Sequence, residues 1–218
     1  TMAEDVVQLM DHMQLPMSLI MGTSMGGAVA QLLAAHFPGR VQGLVLLATS
    51  RDFRAVVNTL QERPLDGLPL SVCSQKCLDW IRYFSGHISS MTAWNKIQKQ
   101  FEGWRILNGP VAPFNTFYYL KMMILSIIRQ RSYETLLNHV RAIVGSVDLL
   151  LETKGNINAK VLVIQGEYDP VFPKDHGEAL ADSIENSSLF VVKEMGHNLN
   201  AAFYRPIVER IQSTFKGS

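Results

Sequence analysis

The chain has 218 residues, 47% of them hydrophobic and 18% charged, a composition typical of a globular protein with one large core. Its formal net charge is +1 and it contains no run of Lys or Arg, so we expect no nucleic-acid partner. The most apolar stretch, residues 117–128, is shorter than the roughly 20 residues that cross a bilayer, so we expect no integral membrane segment.

The first fifty residues alternate between helical and strand patterns. Residues 2–14 predict an amphipathic helix, residues 17–21 a buried strand, residues 28–37 a buried helix and residues 41–48 a second strand. This order is typical of an α/β protein with a mostly parallel sheet flanked by helices.

The pattern changes after residue 50, where no continuous strand-like run occurs for about a hundred residues. Helical patterns instead fit residues 71–83, 93–104, 114–129 and 133–144. The sheet pattern returns with strands at 159–165 and 188–193 and helices at 174–184 and 203–215. We therefore predict a first core segment (1–50), a helical cap or lid insertion (51–155) and a second core segment (156–218).

A short motif lies between the first predicted strand and the helix that follows it. Gly22-Thr23-Ser24-Met25-Gly26 matches the pattern G-x-S-x-G, in which the serine occupies a sharp strand-to-helix turn, the nucleophile elbow. Flanking glycines allow such a strained turn, and the start of the helix directs free N–H groups towards a developing oxyanion. We expect Ser24 to be a nucleophile and the Met25 N–H to be one oxyanion donor.

A serine nucleophile needs a base that is oriented by an acid, and two later loops supply candidates. Asp169 follows the third predicted strand and His197 follows the fourth, so both are expected at the same edge of the sheet as Ser24. The order Ser, Asp, His is the order expected for this kind of fold. Glu167 is a weaker alternative acid.

Several other polar residues are expected to have ordinary structural roles. Asp175, His176 and Glu178 are expected at a solvated helix start. Cys73 and Cys77 lack the partner ligands of a zinc site and are expected to be reduced thiols. Because no signal-peptide pattern is visible, we expect a cytoplasmic protein.

The segments 19–28, 37–47, 161–173 and 196–199 together resemble the α/β-hydrolase fold family of serine hydrolases. The sequences Asp-His-Gly-Glu-Ala-Leu at 175–180 and Gly-His-Asn-Leu at 196–199 are most similar to small-molecule esterases of the aclacinomycin methylesterase kind. The resemblance covers about residues 1–50 and 156–218. It implies a catalytic triad of Ser24, Asp169 and His197.

One departure from the family concerns the first part of the fold. Members of the family begin with further strands and a loop that gives the second oxyanion donor. This sequence starts one helix before the elbow strand, so we interpret it as a fragment of a longer enzyme whose second donor is missing from the chain. Activity without the missing strands is left open.

The expected reaction is hydrolysis of a carboxylic ester of a small, apolar substrate through an acyl-enzyme, with no metal or cofactor. Alternatives on the same triad are C–C bond hydrolysis, proline iminopeptidase or perhydrolase activity. A non-catalytic binding homologue or an inactive fragment is a further alternative. The oligomeric state is not predicted. Aromatic and Met side chains of the insertion are candidates to line the substrate site, namely Trp94, Trp104, Phe114, Phe117, Tyr118 and Met122.

Overall fold

The structure is a computed structural model that describes residues 1–87, 90–129, 134–153 and 156–216. These ranges contain four strands, nine α-helices and two short 3₁₀ helices, at Pro38–Arg40 and Ala201–Phe203. The elements in chain order are α1 (Met2–His12), β1 (Ser18–Thr23), α2 (Met25–His36), β2 (Val41–Leu47), α3 (Arg54–Leu60), α4 (Gln75–His87), α5 (Ala93–Leu107), α6 (Thr116–Arg129), α7 (Glu134–Glu152), β3 (Lys160–Gly166), α8 (Lys174–Asp182), β4 (Ser187–Val192) and α9 (Tyr204–Phe215).

The four strands form one parallel sheet in the order β1-β2-β3-β4. The register places Thr23 beside Leu47, Leu47 beside Ile164 and Ile164 beside Phe190, so the carboxyl ends of all four strands reach the same edge. The predicted fold class, a mostly parallel sheet flanked by helices, is confirmed.

Both faces of the sheet are covered, which explains why the central strands are apolar without alternation. Leu44, Leu46, Val161 and Val163 pack on one side with residues of α2 and α8. Their neighbours along the strands point to the other face, where Ile207 of α9 is part of the core.

The edge strand β1 is less buried than the central strands. Within the described residues it pairs only with β2, and Leu19 and Met21 remain 39% and 46% exposed. The described helices include none that is long and apolar enough to span a membrane.

All described residues between β2 and β3 that are in regular structure are helical. The short helix α3 was not predicted, because its Val, Asn and Thr residues are weak helix formers and its seven residues give little periodicity. Helix α7 extends eight residues beyond its predicted end at 144, because Val147 and Leu150 pack into a core cluster with Phe53. Residue 133, the first of a predicted helix, and residue 155, the last of the predicted insertion, lie outside the described residues, and the three-part division of the chain stays a prediction.

Candidate active site

Ser24 lies at the turn between β1 and α2, with a left-handed backbone conformation (φ +53°). A positive φ is unfavourable for a residue with a Cβ and persists only where the surroundings enforce it. Here the end of β2 holds the turn: the Ser24 N–H donates to the Leu47 carbonyl at 3.0 Å, and the Thr49 hydroxyl donates to the Ser24 carbonyl at 2.8 Å.

The glycines around Ser24 have different roles. A Cβ on Gly22 would collide with the Gly26 carbonyl, and a Cβ on Gly27 would lie 2.6 Å from the Thr49 side chain. Gly26, in contrast, has open space around it. The expectation that both glycines of the motif relieve crowding is therefore correct for Gly22 and wrong for Gly26. The second position that has no room for a Cβ is Gly27.

The structure brings Ser24, His197 and Asp169 together. His197 Nε2 lies 3.0 Å from Ser24 Oγ, and His197 Nδ1 lies 2.9 Å from Asp169 Oδ2 and 3.1 Å from Oδ1. The Asp169 side chain is fully buried and the His197 side chain is 11% exposed. Because a carboxylate only accepts, Nδ1 carries the proton and Nε2 is free to accept the Ser24 hydroxyl proton.

The carboxylate of Asp169 is fixed by its own loop and by the preceding strand. Its Oδ1 accepts backbone N–H bonds from Val171 and Phe172 at 2.8 and 2.9 Å. Gln165, buried near the end of β3, donates to Oδ2 at 3.3 Å and to the Phe172 carbonyl at 2.7 Å. Gln165 was not predicted to belong to the site, although a polar residue inside an otherwise apolar strand is a visible signal.

His197 is held by a residue far away in sequence. Its backbone N–H donates to the carbonyl of Leu107, the last residue of α5, at 2.7 Å. The Asn198 side chain donates to the Trp104 carbonyl at 3.2 Å, and the Phe172 ring lies 5.7 Å from the imidazole. A backbone carbonyl has no sequence signature, so the part played by Leu107 was not predictable.

Met25 is the first residue of α2, where backbone N–H groups have no partner inside the helix. It also borders a cavity of about 520 Å³ between α1, α2 and α7. The walls of this cavity are mostly apolar and include Ala28, Val29, Leu32, Phe53, Ile143 and Leu150. An apolar group could therefore lie beside the Met25 end of α2.

The six predicted lining residues lie in α5, α6 and the loop between them, and none belongs to the described wall of that cavity. Trp94 and Phe117 are 65% and 85% exposed. Trp104 and Phe114 are half-buried around Tyr119, which also contacts Tyr118. Met122 is 41% exposed. Their contact with substrate stays a prediction.

A second Ser–His pair was not foreseen. His176, expected at a solvated helix start, is fully buried: its Nδ1 lies 2.7 Å from Ser50 Oγ and its Nε2 lies 2.8 Å from the Ser71 carbonyl. Since the Ser71 carbonyl only accepts, Nε2 donates to it, and the single hydroxyl proton of Ser50 has two acceptors within reach, Nδ1 and the Asp52 carbonyl at 2.9 Å. The expectation for His176 was wrong, because the contacts that bury it join residues more than a hundred positions apart.

Other acidic and thiol groups are also placed. Glu167, the alternative acid, is exposed and accepts a hydrogen bond from the Glu194 N–H at 3.0 Å. Cys73 and Cys77 are free and buried. Within the described ranges no group of three or more His, Cys, Asp or Glu side chains could hold a metal ion.

A parallel sheet whose strand ends carry an elbow serine, a histidine and an aspartate defines the class of α/β hydrolases. The family described as alpha/beta hydrolase fold matches residues 1–69, and the one described as TAP-like protein matches residues 142–213. The chain has the α/β-hydrolase fold, and it is a hydrolase.

Its similarity to characterised proteins extends over most of the chain. It is 27% identical to rhodomycin D methylesterase DnrP of Streptomyces peucetius, covering 96% of this chain and 70% of that protein. It is 26% identical to the monoacylglycerol lipase ABHD6 of Bos taurus, covering 90% of this chain and 52% of that protein. A hydrolase of 2-hydroxy-6-oxo-6-phenylhexa-2,4-dienoate from Rhodococcus superposes with a TM-score of 0.72 at 18% identity, covering 98% of this chain and 69% of that chain, which supports the fold alone.

Proposed function

We propose that this protein hydrolyses a carboxylic ester of a small, apolar molecule through an acyl-enzyme on Ser24. The observation that carries the proposal is the continuous line of hydrogen bonds from Ser24 through His197 to Asp169, with a carboxylate at one end and a hydroxyl at the other. This line has the geometry that nucleophilic catalysis by serine requires.

In the proposed reaction His197 Nε2 takes the Ser24 proton as Oγ attacks the ester carbonyl carbon. The carbonyl oxygen becomes an oxyanion, and the Met25 N–H is placed at the helix start to donate to it. His197 then gives its proton to the leaving alcohol oxygen. In the second half, water attacks the acyl carbonyl carbon and His197 takes its proton; the bond from that carbon to Ser24 Oγ then breaks, His197 returns the proton to Oγ, and the acid is released.

The comparison of the two Ser–His pairs supports Ser24 rather than Ser50 as the nucleophile. His197 is backed by a buried carboxylate, whereas His176 is backed by a carbonyl that carries no full charge. Ser50 is also completely buried, while Ser24 is partly exposed. An imidazolium formed at His197 during reaction would be stabilised by the Asp169 carboxylate that is hydrogen bonded to its ring, whereas the ring nitrogens of His176 contact a hydroxyl and a carbonyl.

The nature of the substrate is proposed from the relatives and from the cavity. The similarity to rhodomycin D methylesterases supports ester hydrolysis, with a methyl ester as the first choice of test substrate. The cavity beside Met25 has mostly apolar walls and the volume of a small-molecule site. No metal or cofactor is needed for this chemistry, and the cytoplasmic location stays a prediction.

The test is covalent labelling of the purified chain with a fluorophosphonate probe, followed by peptide mass spectrometry. We expect the adduct on Ser24, with loss of labelling in His197→Ala. His12→Ala, which removes an exposed histidine of α1, is the matched control and should label like the wild type. An adduct on Ser50, or labelling that persists in His197→Ala, would overturn the assignment of the nucleophile or of the base.

A substrate panel then separates the alternatives on the same triad. Methyl esters of bulky acids, monoacylglycerols, a β-diketone, a proline-terminated peptide and a peracid assay should be compared by kcat/KM. We expect the highest value for an ester. Labelling at Ser24 with tight ligand binding but negligible turnover on the whole panel would favour a binding protein instead.

A further inference from the structure

Helix α6 presents an apolar stripe to solvent. Phe117, Leu120, Ile124 and Ile128 are spaced by three or four residues and therefore share one face of the helix. Their exposed fractions are 85%, 41%, 50% and 74%. Single exposed apolar residues are ordinary, but four in one line on a helix form a contiguous patch.

The opposite face of α6 attaches the helix to the rest of the protein. Tyr119 and Met123 are buried, and the Tyr119 hydroxyl donates to the Asn108 side chain at 3.0 Å. Beside them, a hydrogen bond with Tyr118 raises the pKa of Tyr204 at the start of α9. The helix is therefore anchored to Asn108 after α5 and to the start of α9, with its apolar stripe turned outwards.

The charges on α6 and on the chain segments next to it in sequence have one sign. Between Glu102 and Glu134 the sequence contains four Lys or Arg residues and no Asp or Glu. Two of the four, Lys121 and Arg129, lie on α6 and are exposed. The chain as a whole is close to neutral, so this local excess of positive charge is not a consequence of overall composition.

We propose that α6 docks this protein onto an anionic lipid–water interface. The apolar stripe enters the boundary between headgroups and acyl chains, while Lys121 and Arg129 contact anionic headgroups. At 14 residues the helix is about 21 Å long, shorter than the hydrocarbon core of a bilayer, so it lies in the plane of the interface.

The charge pattern favours a lipid surface over a second copy of this chain. In a two-fold symmetric contact through α6, the same cationic segments of both copies would be brought together. Like charges in such a contact repel one another, whereas an anionic surface would complement them.

Flotation with lipid vesicles tests the proposal on the chain as it exists. We expect binding to vesicles that contain phosphatidylglycerol, and weaker binding to pure phosphatidylcholine. Phe117→Ser combined with Ile128→Ser should lower the partition coefficient at least about tenfold on both, because binding scales with the apolar area inserted. Lys121→Gln with Arg129→Gln should lower the partition coefficient about 25-fold on the anionic vesicles only, at roughly fivefold for each charge.

Helix α1 offers a matched control. Leu9 and Met13 at its end are 56% and 57% exposed, but the helix carries the acidic residues Glu4, Asp5 and Asp11. Leu9→Ser with Met13→Ser also removes two exposed apolar side chains, of somewhat smaller exposed area, and should leave vesicle binding unchanged. All these positions are exposed, so the folded state should survive, and circular dichroism would verify it.

Three results would overturn the proposal. The first is that the wild-type chain stays in the lipid-free fraction with anionic vesicles, and the second is that the α1 control loses binding as strongly as the α6 variant. The third is a dimer in sedimentation that Phe117→Ser with Ile128→Ser converts to monomer, with no variant binding vesicles. This result would assign the stripe to self-association. None of these results bears on Ser24 labelling, so the proposed hydrolase activity is judged separately.

Discussion

The core segments and the helical segment between β2 and β3 contribute different kinds of group to the candidate site. The side chains of Ser24, Asp169 and His197 all come from strand ends of the core. The helical segment contributes backbone contacts: the Leu107 carbonyl accepts from the His197 N–H, and the Ser74 N–H donates to the Pro170 carbonyl at 2.8 Å. The sheet therefore positions the three candidate catalytic side chains, and backbone hydrogen bonds from the helical segment fix the loops that carry Asp169 and His197.

This difference has a consequence for sequence variation. Every non-proline residue has the same backbone N–H and C=O groups, so the helical segment can keep its contacts while its side chains change. The two family matches agree with this view, since they cover residues 1–69 and 142–213 and leave most of the helical segment between them unmatched.

The largest expected effect concerns the acid in the core. Asp169→Asn should lower kcat of ester hydrolysis by about 10⁴, because the amide would favour the wrong tautomer of His197 and could not stabilise its charged form. The matched control is Glu167→Gln, an exposed acid two residues earlier, which should stay within about threefold of wild type. Steady-state kinetics of both variants measures the difference. Equal losses in the two variants would contradict the assignment of Asp169.

The second prediction concerns the junction of the two regions. Asp52 follows the first core segment, residues 1–50, and its side chain is only 6% exposed. Its Oδ2 lies 2.6 Å from Arg54 Nη2. Burial alone would raise the pKa of Asp52, but the hydrogen bonds and charge of Arg54 outweigh it and hold the pKa below its ordinary value of 3.8. A carboxyl whose pKa is lower in the folded state stabilises the protein above the unfolded-state pKa.

Asp52→Asn should therefore reduce the free energy of unfolding by about 1 kcal/mol at neutral pH, a modest value because Arg54 is partly exposed. The difference from wild type should shrink below about pH 4, as wild-type Asp52 itself becomes protonated in the folded protein. Urea unfolding of wild type and variant at several pH values measures this difference in the free energy of unfolding. Asp66→Asn, in an exposed loop, is the control and should show no such pH-dependent difference. A difference that grows on acidification would contradict the proposed pairing.

The sequence predicted the core well, and its errors share one cause. Strand and elbow patterns are local, so β1 to β4 and the positions of Ser24, Asp169 and His197 could be read from short segments. His176 and Gln165 were misjudged or missed because their burial depends on contacts with distant loops, such as the contact with Ser50, 126 residues away. The predicted helices between β2 and β3 were also incomplete, since α3 was not predicted and α7 continues to Glu152.

The smallest expected effect tests whether the helical segment adds side chains to the substrate site. Trp104 lies next to the loop of His197, since its carbonyl accepts from the Asn198 side chain, whereas Trp94 begins the same helix and is 65% exposed. If the predicted aromatic residues contact substrate, Trp104→Ala should raise KM about fivefold, the value of roughly 1 kcal/mol of lost apolar contact, with little change in kcat.

Trp94→Ala should change KM less than twofold, because its exposed position lies far along α5 from the His197 loop. Measuring kcat and KM for both variants with one ester separates binding from chemistry. Unchanged KM in both variants would remove α5 from the substrate site and leave the mostly apolar cavity beside Met25 as the place where the substrate's apolar group binds. A fivefold rise in Trp104→Ala alone would mean that the helical segment contributes specificity as well as support.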